Sequence, residues 1–308
     1  MGPAPQPRDS VPPMTRTVPW RHLLLALAVV AVWGSNFAII KVALTQIPPL
    51  LFATLRFTFA LVPAMFFLPR PNVGWRNCAT YGLLIGVGQF GVLYLAMNGH
   101  ISPGLASLVI QTQVFFTIGL AMHFARERVM PFQWVALGLA AAGIGVIALH
   151  TDGSTTALGV AMVMFGAFCW AGGNIAAKRA AVPDMLGYVV WSSAFAVPPL
   201  LALSFWFEGW TAMRAGLAHA DAAAWAAVLW QAWGNTLFGY AAWAWLLARH
   251  PAATISPMAL LVPVFGMATA AAVLGEPLPA WKLTATALVM AGLVLNLLWP
   301  RWRAMLKV

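Results

Sequence analysis

Apolar residues run along this chain in blocks of about twenty, and Pro, Gly or polar residues cut the blocks at regular intervals. A helix that crosses the hydrocarbon core of a bilayer needs about 20 apolar residues, so each block predicts one membrane span. Ten spans follow: Leu23 to Lys41, Leu50 to Leu68, Tyr81 to Met97, Ser102 to Phe124, Phe132 to Leu149, Ala157 to Ala177, Leu186 to Phe207, Ala222 to Leu247, Ala252 to Leu274, and Ala280 to Trp299. Five precede the polar break at Thr151-Asp152-Gly153-Ser154 and five follow it. The expected fold is therefore an all-α integral membrane protein. A disordered N-terminal segment (1–21) precedes a first five-helix repeat (22–150), then come a second (157–300) and a short tail (301–308).

The two halves carry one pattern written twice. Trp33-Gly34-Ser35-Asn36 is followed by Lys41, then by Pro103, Val114-Phe115, Glu127, Pro131 and Trp134. The order returns as Trp170, Gly172-Gly173-Asn174, Lys178, Pro251, Val264-Phe265, Glu276, Pro279 and Trp281. The offset grows from 137 at the tryptophans to 149 at the glutamates, which one short insertion accounts for. Five spans is an odd number, so the second half enters the membrane from the opposite face. Inverted repeats of this kind build transporters whose halves rock around a central site.

Composition narrows the class further. With 62% hydrophobic and 8% charged residues and a mean hydropathy of +0.83, the chain falls far from a soluble globule, whose charged fraction is about a quarter. The +10 net charge does not gather on one face or tail, so nucleic acid is not its partner. The charge is a topology signal instead: thirteen of the seventeen Lys and Arg fall on one side of the ten spans, three fall on the other, and Arg56 lies within a span. The positive-inside rule then puts both termini in the cytoplasm. The Pro-rich lead before Pro19 lacks the apolar core and cleavage site of a signal peptide. Cys78 and Cys169 lie beside or within spans, so neither a disulfide framework nor a metal site is read here.

Candidate chemistry comes from what is present at membrane depth and what is missing. The seven acids are Asp9, Glu127, Asp152, Asp184, Glu208, Asp221 and Glu276, and none sits mid-span. An Asp at the bilayer centre costs on the order of 3 kcal/mol, so coupling through a buried carboxylate is not expected, and a facilitator running down its gradient is favoured. No phosphate-binding GxxxxGK[ST] loop, paired acids or catalytic cluster is visible, so neither an enzyme nor a cofactor is expected. The cavity candidates are polar or aromatic side chains at depth: Trp33, Asn36, Gln89, Tyr94, Asn98, Gln111, Trp170, Asn174, Trp233, Asn235, Tyr240 and Pro263. Each amide is equally suited to bonding a neighbouring helix. Pro257 and Pro263 remove backbone donors from span nine, where local unwinding would expose carbonyls. Gly82, Gly86, Gly88 and Gly91 read as a small-residue packing face, with Gln89 among them giving a polar, roomy wall. Lys41, Lys178, Glu127, Glu276 and Arg56 are gate or anchor candidates. Arg56 either meets a substrate carboxylate, snorkels outward or satisfies neighbouring carbonyls, the structural roles being favoured.

These residues, with Pro48-Pro49, Leu55-Arg56-Phe57, Pro103-Gly104-Leu105-Ala106-Ser107 and Leu261-Val262-Pro263-Val264, resemble the drug/metabolite transporter superfamily. The resemblance is nearest to its EamA-type ten-helix exporters of cysteine, O-acetylserine and aromatic amino acids, and it covers residues 22 to 300. It implies export of amino acids of broad range, small polar to aromatic, across the bacterial inner membrane by alternating access. The alternative on the same scaffold is a drug, nucleotide-sugar or other metabolite carrier, with proton coupling open. The expected partners are the small-molecule substrate and the lipid bilayer; the oligomeric state stays open, with a monomer sufficient.

Overall fold

A computed structural model describes residues 18–125, 130–150, 155–250 and 252–305. Among them every regular element is a helix. Span one is Trp20–Ala43, span two Pro49–Ala64, and span three runs Trp75–Met97. Span four is Pro103–Val109 and Gln113–Ala125 joined by a tight turn at Ile110–Thr112, and span five is Pro131–Leu149. In the second half come Ala157–Ala180, Met185–Phe207, Ala222–Leu229 continuing to Arg249, Ala252–Ile255 continuing to Leu274, and Ala280–Met305. Eight of these are long and apolar enough to cross a membrane by length and composition. Span two is shorter, and span eight is diluted by Trp, Gln and Asn.

Helix ends follow local chemistry. Pro49 and Pro103 each stand at a first helical position, where the missing N–H costs nothing. Thr156, Asp184 and Asp221 cap spans six, seven and eight by accepting from Gly159, Gly187 and Ala224 N–H groups. The Asp221 carboxyl is held below its ordinary value, chiefly by the Ala224 N–H. Span one starts at Trp20, two residues inside the segment expected to be disordered, and the last helix runs five residues into the expected tail. A further helix, Gly209–His219, lies between spans seven and eight where the sequence reading had only a connection. It is mostly exposed, with Met213 buried and Gly216 resting on Pro48 and the Gln46 carbonyl.

The two five-span halves are not separate bundles. Span one packs on spans eight and nine, and span six packs on spans three and four, which is the same relation with the halves exchanged. Spans two and seven pack on each other, as do four and nine, and five and ten. The contact pattern thus maps onto itself when the repeats swap, the mark of a pseudo-two-fold axis. Glycines allow the close crossings. A Cβ on Gly34 would fall 2.5 Å from Phe265 Cβ and from the Val262 carbonyl, and one on Gly86 would meet Ala196 of span seven. The span-three glycines face spans six and seven, so their stripe is a packing seam.

Candidate functional site

Four spans depart from α-helical geometry, in matched pairs. Span three widens into a π-helix at Leu83–Gly91 and span eight does the same at Trp230–Phe238. Both ends of the segment are offset by 147 residues, so the feature belongs to the repeat. Spans four and nine instead tighten, at Ile110–Thr112 and Ser256–Leu261. The second of these contains Pro257 and is followed by Pro263, and the missing donors make the α-helical ladder incomplete. A π segment shifts the helical register by an extra residue and is found mostly at functional sites.

These irregular segments surround a cavity of about 130 Å³, room for about four waters. Spans one, three, four, six, eight and nine contribute its lining. Its polar groups are the amides of Asn36, Gln89, Gln111, Gln113 and Asn235, and its flat walls include Trp33, Phe90, Trp170 and Tyr240. Among the described residues no carboxylate lines it. Trp33 is held in place by donating from Nε1 to the Asn235 carbonyl, 3.1 Å away inside the π segment.

Behind one wall lies the guanidinium of Arg56, 1% exposed. Its Nη1 donates to the Tyr94 hydroxyl at 3.0 Å, and its Nη2 to Asn235 Oδ1 and Thr236 Oγ1, both at 3.2 Å. Its plane lies 3.5 Å from the Phe90 ring centroid, a cation–π contact. Tyr94 in turn donates to Gln231 Oε1 at 3.1 Å, and Gln231 Nε2 donates to Asn36 Oδ1 at 2.5 Å. Among the described residues no acid pairs with Arg56, and its Nε has no acceptor. On the opposite wall Asn174 donates to Gln113 Oε1 at 3.0 Å.

A second cluster closes one end of the bundle. Glu276, at the end of span nine, accepts from Ser102 Oγ, from the Gly104 N–H at 2.9 Å, and from Lys282 Nζ at 2.9 Å. It therefore caps span four from the other half of the molecule. Glu208 does the same for span two, accepting from the N–H groups of Leu50 and Leu51 and from Ser204. Lys41 lies beside the Glu276 cluster and donates to the Met97 carbonyl at 3.2 Å.

Of the cavity candidates, Trp33, Asn36, Gln89, Gln111, Trp170, Asn235 and Tyr240 line the space. Tyr94 is buried one layer behind it, as an Arg56 partner. Asn98 is exposed where span three ends, Trp233 is turned outward to bond the Phe59 carbonyl, and Pro263 is buried at the start of the resumed span-nine helix near Gly34. Asn174 is not in the lining, unlike its repeat mate Asn36, and donates to Gln113 of span four. Lys178 is exposed at the end of span six, unlike its repeat mate Lys41. Glu127 lies outside the described residues. Arg56 neither snorkels nor meets carbonyls; side-chain oxygens and two rings hold it. Gln231, fully buried at the junction of the network, was missed although it is an amide at depth like Asn235. Lys282 is 1% exposed and paired with Glu276.

Comparison with known proteins gives matches along nearly the whole chain. The model of the EamA-like transporter family matches residues 20–149 and again 157–298. A probable amino-acid metabolite efflux pump of Salmonella typhimurium is 39% identical over 290 residues, spanning 92% of this chain and 97% of the relative. The Escherichia coli protein described in the same words is 38% identical over 291 residues, with the same coverage. A probable terminal-alkyne amino-acid exporter of Streptantibioticus cattleyicolor is 27% identical across 88% of this chain and 91% of its own. A solved structure described only as a crystal structure of protein superposes with a TM-score of 0.64 at 17% identity, over 92% of this chain and 98% of that one. That likeness concerns the fold alone.

Proposed function

The chain belongs to the EamA-like transporter family, and from that premise we propose that it exports amino acids and related metabolites across the bacterial inner membrane by alternating access. The observation that carries this reading is the cavity between the exchanged halves, lined by neutral amides and aromatic faces with no carboxylate on its wall. Amides both donate and accept, so they suit a zwitterion without demanding one side chain. Trp33, Trp170 and Tyr240 offer apolar surfaces for side chains of different shape. The range proposed therefore runs from small polar to aromatic amino acids. A ligand of about six heavy atoms fills the observed space, so the larger substrates require the walls to part.

With no acid at the cavity to bind and release a proton, transport runs down the substrate gradient. Each five-span repeat moves against the other, and both termini lie in the cytoplasm. Flux into proteoliposomes tests this reading: serine and phenylalanine are expected to move, at equal rates with and without a pH gradient. Movement of drugs or nucleotide sugars with no amino-acid flux would transfer the protein to the other branch of the scaffold. Flux of one amino acid alone would end the claim of breadth, and flux that stops when the pH gradient is collapsed would end the claim of uncoupled transport.

A further inference from the structure

We infer that the cavity contains a carboxylate subsite, made by the Nδ2 groups of Asn36 and Asn235 and polarised by Arg56. The inference rests on the amino-acid reading above and specifies which wall meets which end of the substrate.

The argument is one of hydrogen-bond direction. A guanidinium has five N–H donors and no acceptor, so every group that bonds Arg56 turns an oxygen toward it. Asn235 does so with Oδ1. The Tyr94 hydroxyl accepts from Arg56 and so spends its single hydrogen on Gln231 Oε1. Gln231 then has only its NH₂ to offer onward, and that group meets Asn36 Oδ1. The donor-only character of one buried side chain thus fixes the sense of two amides on the cavity wall. Both Asn36 and Asn235 have their oxygens engaged and their NH₂ groups left over, and neither NH₂ has an acceptor among the described residues. Two amide donors on one wall, backed by a positive charge with no acid beside it, select an anion. Charges interact strongly where water is scarce, so Arg56 acts on the cavity through its partners and is a positioning residue.

On the far wall only Gln113 is constrained in this way, its Oε1 accepting from Asn174. Gln89 and Gln111 line the cavity with no side-chain partner among the described residues, so each is free to turn a carbonyl toward an ammonium. The asymmetry is built into one half only: Arg56 stands seven residues into span two, and seven residues into span seven stands Ser192.

Two measurements separate the subsite from the export reading. The first is counterflow of labelled serine and phenylalanine in proteoliposomes, competed by the parent amino acid, its carboxamide or the decarboxylated amine. The parent is expected to compete at least about tenfold better than either derivative. In Asn235→Asp, which places an anion within reach of Arg56 and removes a donor from the wall, the preference is expected to fall to about one. Asn36→Ala is expected to reduce it in the same direction, and serves if the first variant does not elute as a folded species. Equal competition by acid and carboxamide in the unmodified protein, or a preference unchanged in both variants, overturns the subsite. The second measurement is thermal stabilisation of the detergent-solubilised protein by 3-phenylpropanoate against 3-phenylpropanamide, which needs no transport. If neither amino acid moves yet the carboxylate stabilises and the amide does not, the subsite stands and the export reading falls. If amino acids move but the two compounds stabilise equally, the subsite falls alone.

Discussion

Glu276 holds together three things at once: the start of span four, the hydroxyl of Ser102 and the buried ammonium of Lys282. Removing one partner of a buried ion pair strands the other charge, at a cost of about 3–5 kcal/mol. Lys282→Met is expected at the low end of that range, because Glu276 keeps its Gly104 and Ser102 donors, and the loss appears as a lowered Tm in detergent. The double variant Glu276→Gln with Lys282→Met is expected to recover much of that loss, since no unpaired charge remains. At this scale the sequence exposed some of the site and concealed the rest. Asn36, Gln89, Gln111 and Asn235 were found because an amide at membrane depth is costly unless it does something. Gln231 met the same criterion and was overlooked among its tryptophans. Asn98 and Trp233 met it too, but depth does not specify which way a residue faces around the helix. The route Arg56–Tyr94–Gln231–Asn36 joins four spans from both halves, so no local pattern could reveal it.

The spans themselves were legible, because length and hydropathy are local properties, though span three opens at Trp75, six residues before the expected Tyr81. Phe132 to Leu149 became Pro131–Leu149, and Leu50 to Leu68 closed early at Ala64. The exposed Gly209–His219 helix escaped notice because eleven residues of mixed polarity are too short to read as a span. The π segments left no mark in the pattern either; their widening is decided by what packs against them. Close crossing is the element-scale feature open to test. Gly34→Ala puts a methyl where Phe265 Cβ and the Val262 carbonyl already lie at 2.5 Å, which forces spans one and nine apart at a cost of about 1–3 kcal/mol. Gly145→Ala, where nothing lies within 4 Å, is the matched control. The first is expected to lower Tm and flux together and the second to leave both unchanged.

The molecule as a whole is an exchange of partners between halves. Span one leans on eight and nine, and span six on three and four. Residues 1–150 expressed without residues 151–308 are therefore expected to yield no stable product, while co-expression of the two pieces restores a complex that elutes as one species and carries flux. Two halves that fold independently would refute the interlocked arrangement. Tags on the amino and carboxyl ends are expected to be shielded alike in intact spheroplasts and reachable only after lysis. Arg56 has no charged counterpart in the matching stretch of span seven, where Trp191, Ser192 and Ser193 stand, and this gives the plan a final consequence. Were the halves identical, the resting carrier would dwell equally in its two orientations. A cation embedded in one half alone lifts that degeneracy, so the unloaded protein idles with one mouth preferred. Half-saturating concentrations then differ between the two leaflets, while the final distribution of solute, set by the gradient, does not.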